Sequence, residues 1–159
     1  LANFASLKSP DILLLALHGF VQSDKAIYRG HALQYLTGIA FAGANESAEH
    51  LLTLYTQSKP NLYGTSLVVL AACETNFADY TQAKDYVSMR NHFLNMGAQR
   101  VVASHWSLPD EQTSAVMERF YANLVQKNTY QAALRQAKIS QLAATPNPRF
   151  WAALTLTEK

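Results

Sequence analysis

Apolar and polar positions along this chain fall into two kinds of stretch. Short continuous apolar runs alternate with longer stretches in which apolar residues recur three or four positions apart. Residues 12–17 (Ile-Leu-Leu-Leu-Ala-Leu) and 67–72 (Leu-Val-Val-Leu-Ala-Ala) are the clearest runs. Each has the length and polar bounding of a strand buried on both faces, as in the middle of a parallel sheet. Residues 100–105 predict a third strand and residues 38–42 a short one. Helical spacing places Ala48, Leu51, Leu52 and Tyr55 on one face of a helix that starts at Asn45 and ends before Pro60. A second helix runs to about Met96 with Tyr86, Met89, Phe93 and Met96 on one face, and Gly97 stops it. Pro109 and Asp110 open the clearest helix, with Val116, Met117, Phe120, Tyr121, Leu124 and Val125 inward. Thr129 caps a helix over 130–143, Pro146 and Pro148 break it, and 150–155 reads as a final strand. Residues 2–7 read as the last turns of a helix that stops before Pro10. Residues 19–34 and 74–82 are polar and read as loops. The alternation of strand and helix predicts an α/β layered fold with a mostly parallel sheet.

Composition narrows the class. The chain has 159 residues, 49% of them hydrophobic, enough for one domain with a real core. The net charge is +2 and the basic residues form no tract, which argues against nucleic acid or a membrane surface as partners. A single cysteine permits no internal disulfide and fits a reducing, cytoplasmic setting. No apolar run approaches the ~20 residues that span a bilayer. The chain begins with Leu and no basic-then-apolar leader follows, so the expectation is one domain over 1–159, cut from the C-terminal part of a longer protein.

The candidate chemistry sits where the strands end. In open parallel sheets, ligands bind at the carboxyl ends of strands. His18-Gly19 follows the first run and Cys73-Glu74-Thr75 the second, the raw material of a thiol–imidazole pair. The thiolate is the attacking species, so Cys73 needs a base, and His18 is the candidate by position. The backbone N–H groups of Gly19 and Cys73 could form an oxyanion hole. A lone Cys is also a common buried hydrophobe. Asp110 and Glu111 read as a helix N-cap and a first-turn carboxylate, or together as the acidic wall of a substrate pocket selecting a basic side chain. Trp106 reads equally as pocket lining or core edge. His105 ends the third strand and either reaches the same sheet edge or packs. His31 falls in a loop, His50 on a helix and His92 off the apolar face of its helix, and all three read as surface residues. No metal-ligand spacing and no glycine-rich phosphate loop is present, so no cofactor is expected.

The residues resemble the CHAT domain, a caspase-like peptidase domain often joined to tetratricopeptide repeats. The matching pieces run in order through Leu17-His18-Gly19, residues 67–75 ending in Cys73-Glu74-Thr75, residues 97–106, Asp110-Glu111-Gln112-Thr113, residues 120–124, residues 133–137 and residues 148–152. They span nearly the whole chain. The separation of His18 from Cys73 is close to the roughly 50 residues by which a caspase-type His precedes its Cys. The resemblance implies a three-layer caspase-hemoglobinase fold, with a His18–Cys73 dyad hydrolysing peptide bonds in protein substrates through a thioester. It also implies regulation by adjoining sensor or repeat domains. The similar metacaspases carry an Asp-Asp-Gln-Thr-like stretch near their substrate pocket, where this chain has Asp110–Thr113. Three departures stand out. Leu17 replaces a usual Thr, His105 stands where Leu is common, and Asn76–Tyr80 replaces a glycine-rich stretch. The family sheet also contains strands before the His strand, which this chain starts too late to supply. The altered loop motivates an alternative reading as an inactive interaction module. A thiol acyltransferase or amidase is a third.

Overall fold

In the computed structural model, which describes residues 1–22, 26–28, 31–33, 36–54, 56, 59–71 and 88–159, the strongest apolar runs become strands of one sheet. The elements in chain order are α1 (Ala2–Ala5), β1 (Ile12–Leu15), β2 (His18–Gln22), β3 (Ala26–Tyr28), β4 (His31–Leu33), β5 (Leu36–Ala40), a 3₁₀ turn at Ala48–His50 and β6 (Leu51–Thr53). They continue with β7 (Leu67–Leu70), α2 (Met89–Asn95), β8 (Arg100–Ser104), α3 (Asp110–Val125), α4 (Tyr130–Ala144), a 3₁₀ turn at Pro148–Phe150 and β9 (Leu154–Glu158). The main sheet has the order β1-β7-β8-β9. Its first three strands are parallel and β9 is antiparallel, which gives the expected α/β architecture with a mostly parallel sheet.

Strand alternation sends side chains to two cores. Leu15, Val68, Leu70, Val101 and Ala103 face one side, with Phe4 of α1 and Met89 and Phe93 of α2. Leu67, Val69, Val102 and Leu154 face the other, with Val116 and Phe120 of α3 and Leu134 and Ala137 of α4. The result is three layers. Helices α3 and α4 are also tied by polar contacts. Arg119 donates to Gln141, and Gln141 Nε2 donates to Gln112 Oε1 at 2.6 Å, so the buried Gln141 amide is satisfied at both ends. Thr129 caps α4 as its sequence predicts, its side chain accepting from the Ala132 N–H.

Several expectations are corrected. The first apolar run is not a fully buried strand reaching residue 17. Among the described residues β1 is an edge strand paired only with β7, and Ile12 and Leu14 are 42% and 49% exposed. The helices on that face lie over the other strands, so an apolar run here marks sheet membership without double burial. The polar stretch after His18 is not simply a loop: β2 pairs antiparallel with β5, and β3 with β4. Antiparallel pairs do not require an apolar run, because one face can stay in water. The helix expected from Asn45 is a 3₁₀ turn followed by β6, which pairs with β5. Adjacent Leu51 and Leu52 fit either state, and pairing with β5 decides. The final strand starts at Leu154 rather than 150. Asn147 caps a 3₁₀ turn before it by accepting from the Arg149 N–H.

The three-stranded sheet β2-β5-β6 carries one tight contact. A Cβ on Gly38 would lie 2.6 Å from Phe20 Cζ and 2.7 Å from the Leu52 carbonyl oxygen. The phenyl ring can turn away, but the backbone oxygen cannot. Gly38→Ala is therefore expected to destabilise the chain by roughly 1–3 kcal/mol, read as the midpoint shift of a denaturant titration. An unchanged midpoint would mean that β5 and β6 separate freely.

Candidate functional site

A cavity of about 640 Å³ opens at the carboxyl end of the main sheet. Leu70 and Ala71 at the end of β7, Ser104 at the end of β8, and Ala16, Leu17 and His18 beyond β1 line one side. The segment after β5, from Ala40 to Asn45, forms a second wall. Leu108 and the first turns of α3, through Asp110, Thr113 and Ser114, form a third. This is the place where an open parallel sheet offers a ligand its strand ends and a helix start.

His18 is exposed and reaches the cavity as the first residue of β2, not the last of β1. The last ladder bond of β1 runs from the Ala71 N–H to the Leu15 carbonyl at 3.0 Å, and the chain then leaves the sheet. His18 is set opposite Ala40 and Gly19 opposite Ile39. The Phe41 N–H donates to the His50 carbonyl, so the backbone of Phe41, and by alternation of Ile39, turns toward β6. Ala40 then turns toward His18. The Gly19 N–H and C=O face the outer side of β2, away from β5.

Asp110 stands on the third wall. Pro109, not Asp110, occupies the N-cap position of α3, and no side-chain cap bond is made there. Asp110 and Glu111 both lie in the first turn, where their charge favours the helix dipole. The capping role expected of Asp110 is thereby corrected. Glu111 is exposed and lies off the cavity lining, which corrects its expected place in the pocket, because the first turn of α3 points adjacent side chains in different directions.

His105 and Trp106 also lie off that lining. β8 ends at Ser104, whose side chain shares the face of Val102. The next side chain falls on the other face, where His105 Nε2 lies 3.2 Å from Thr155 Oγ. Desolvation, then Arg90 and Lys138, push the His105 imidazole below its ordinary pKa. The Trp106 indole N–H donates to the Arg149 carbonyl at 2.9 Å, fastening the turn before β9. Cys73 lies outside the described residues, as do Glu74, Thr75 and every other position from 72 to 87, including the loop expected over 74–82.

Of the three histidines expected at the surface, His92 is buried, His50 is half-buried, and His31 lies in a strand instead of a loop. His31 belongs to β4. His50 ends a 3₁₀ turn, and its Nδ1 is buried, with no hydrogen-bond partner among the described residues. His92 is buried on α2 beside Phe93. Burial and then the Lys59 charge lower its pKa to about 4. The helix is short and residues 59–63 pack along its flank, so the position next to the main apolar stripe is covered as well. Thr113, part of the Asp110–Thr113 stretch, lines the cavity, and Ser104, Asn45 and Ser114 are cavity residues that the sequence did not single out as site residues. Only Ser104 carries a usable signal, as the polar end of an apolar strand.

Together these features define a three-layer α/β domain with an imidazole and a carboxylate facing one cavity at the strand ends. The chain belongs to the CHAT domain family, a caspase-like family, whose model matches residues 1–158. No curated protein matches the chain.

Proposed function

We propose that the chain is a cysteine endopeptidase acting through His18 and Cys73 on protein substrates, controlled by adjoining domains of a longer chain. The observation that carries this reading is the cavity shared by His18 and Ala71, because Cys73 follows Ala71 by only two positions in the sequence. The imidazole of His18 takes the thiol proton, and the thiolate sulfur attacks the peptide carbonyl carbon. The developing oxyanion is held by backbone N–H groups, for which the outward Gly19 amide and that of Cys73 are the candidates. Collapse expels the amine, which takes the proton back from the imidazolium and leaves a thioester. Water then attacks the thioester carbon, with His18 again as base, and the carbon–sulfur bond breaks to release the carboxylic acid, the Cys73 sulfur leaving as thiolate and recovering its proton from the imidazolium. The exposed apolar side chains of Ile12 and Leu14, on a strand at the sheet edge among the described residues, support packing of a neighbouring domain there.

Alkylation by iodoacetamide tests the pairing of thiol and imidazole. Cys73 is expected to react at pH 6–7 faster than a free thiol, whose pKa is near 8.5, and to lose that advantage in His18→Ala. Equal rates in both proteins would leave a binding module in place of a peptidase.

Asp110 supports a preference for substrates with Lys or Arg before the scissile bond. Asp110→Asn keeps the shape of the wall and removes its charge. We expect kcat/KM on such substrates to fall by up to about fivefold, the size of an exposed charge pair. Neutral substrates should be unaffected. An equal fall on both would assign Asp110 to the stability of α3 instead.

A further inference from the structure

A second concave surface, which shares only Leu154 with the cavity lining, lies between α4 and the outer strand β9. Leu134, Ile139, Leu142, Trp151, Leu154 and Leu156 line a groove of about 420 Å³. Ile139 and Leu142 are 42% and 40% exposed on its rim. Its charged lining residues, Arg135 and Lys138, are both cations.

The backbone beside the groove is also available. The His105 N–H donates to the Ala153 carbonyl and the Lys159 N–H to the Gln99 carbonyl, so odd-numbered residues of β9 face β8. By alternation, the N–H and C=O of Leu154, Leu156 and Glu158 face away from the sheet. One outward group is already used, because Lys138 Nζ donates to the Leu154 carbonyl at 2.7 Å. The backbone of Leu156 has no partner among the described residues beyond the β8 register.

From this combination we infer that the edge of β9 is a docking site for an extended, acidic–apolar peptide segment of a partner protein. The segment adds a strand beside β9, its amide groups meeting those of Leu156. Apolar side chains at alternate positions enter the groove, and a carboxylate meets Arg135 and Lys138. This is strand addition with side-chain pockets supplying the selectivity. A second copy of the chain fits less well. Antiparallel β9–β9 pairing sets α4 beside α4, which brings two sets of Arg135 and Lys138 to one seam. Glu158, the acidic residue of β9, is held by Arg100 at 2.6 Å. A helical ligand would leave the outward amides of β9 unused.

The test is selection of a random linear peptide library on the intact chain, with the Ile139→Glu chain as counter-selection. Both Ile139 and Arg135 are exposed on α4, and thermal melts confirm that the variants fold. Selected peptides are expected to alternate apolar residues and to carry Asp or Glu. Their affinity by fluorescence anisotropy should fall about tenfold or more for Arg135→Glu and return when the peptide acid is changed to Lys. N-methylation of peptide amides at one parity should abolish binding, and at the other parity leave it intact. The proposal is overturned if no peptide survives counter-selection, or if binding is indifferent to Arg135→Glu. It is equally overturned if sedimentation shows a dimer that Ile139→Glu dissociates, which would make a second copy the occupant.

Discussion

Replacement of Cys73 by alanine is expected to lower peptide hydrolysis at least about a thousandfold, because a thioester needs the sulfur and the chain has one cysteine. His18→Ala is expected to give a loss of similar size. At neutral pH a thiol of ordinary pKa is only a few per cent ionised, and without the imidazole the departing amine has no proton donor. The two replacements act on one unit, so the double variant should be no slower than the worse single one. The measurement is kcat/KM on a peptide with Arg before the scissile bond, with thermal melts to show that each variant is folded. His18 is exposed, so its loss leaves the cores untouched. Full activity in His18→Ala would remove it from the mechanism and shift attention to another base facing the cavity.

Acid should destabilise the fold through His92 well before the ordinary carboxylate range is reached. The imidazole is buried on α2, its Nε2 has no hydrogen-bond partner among the described residues, and its pKa lies near 4 instead of 6.5. Desolvation is the main cause and the Lys59 charge the second. Because the folded pKa is the lower one, the unfolded chain binds more protons between these values. The contribution of His92 is therefore fully present above pH 6.5 and is lost as pH falls toward 4. A shift of this size corresponds to roughly 2–3 kcal/mol once solvent at the rim of the neighbouring cleft is allowed for. In His92→Leu the pH slope in that window should flatten. Its stability at pH 7 should rise by about 1 kcal/mol, because a buried unsatisfied nitrogen is removed. Urea titrations from pH 4 to 7 on both chains read the difference. Parallel curves would show that His92 is solvated in the folded chain.

The elements that could be read from the sequence share one property: their signal is local. The run at 67–70 is apolar on both faces because β7 lies between two strands under two helix layers. Helix α3 shows its period, and Thr129 and Gly97 mark ends that backbone geometry requires, Gly97 with φ of +112° and Tyr63 N 2.7 Å from a Cβ placed there. The elements that depart from the sequence expectation lack such a signal. β2 and β6 are short and polar or ambiguous, and each is a strand because β5 lies beside it. The same holds for His92, which lies beside Lys59, Pro60, Asn61 and Tyr63, far from it in sequence.

By itself the sequence determined the α/β class, the helices α3 and α4, the inner strands and the residue types able to do thiol chemistry. Periodicity and strand-end position carry that information within a few residues. Only the tertiary structure decided that β1 is an edge, that His18 opens a second sheet, and that Asp110 faces the same cavity as His18 while His105 does not. Those outcomes depend on which backbone lies beside which, and on the parity of a ladder between segments distant in sequence. A one-residue step in such a ladder exchanges the faces, as Ser104 and His105 show.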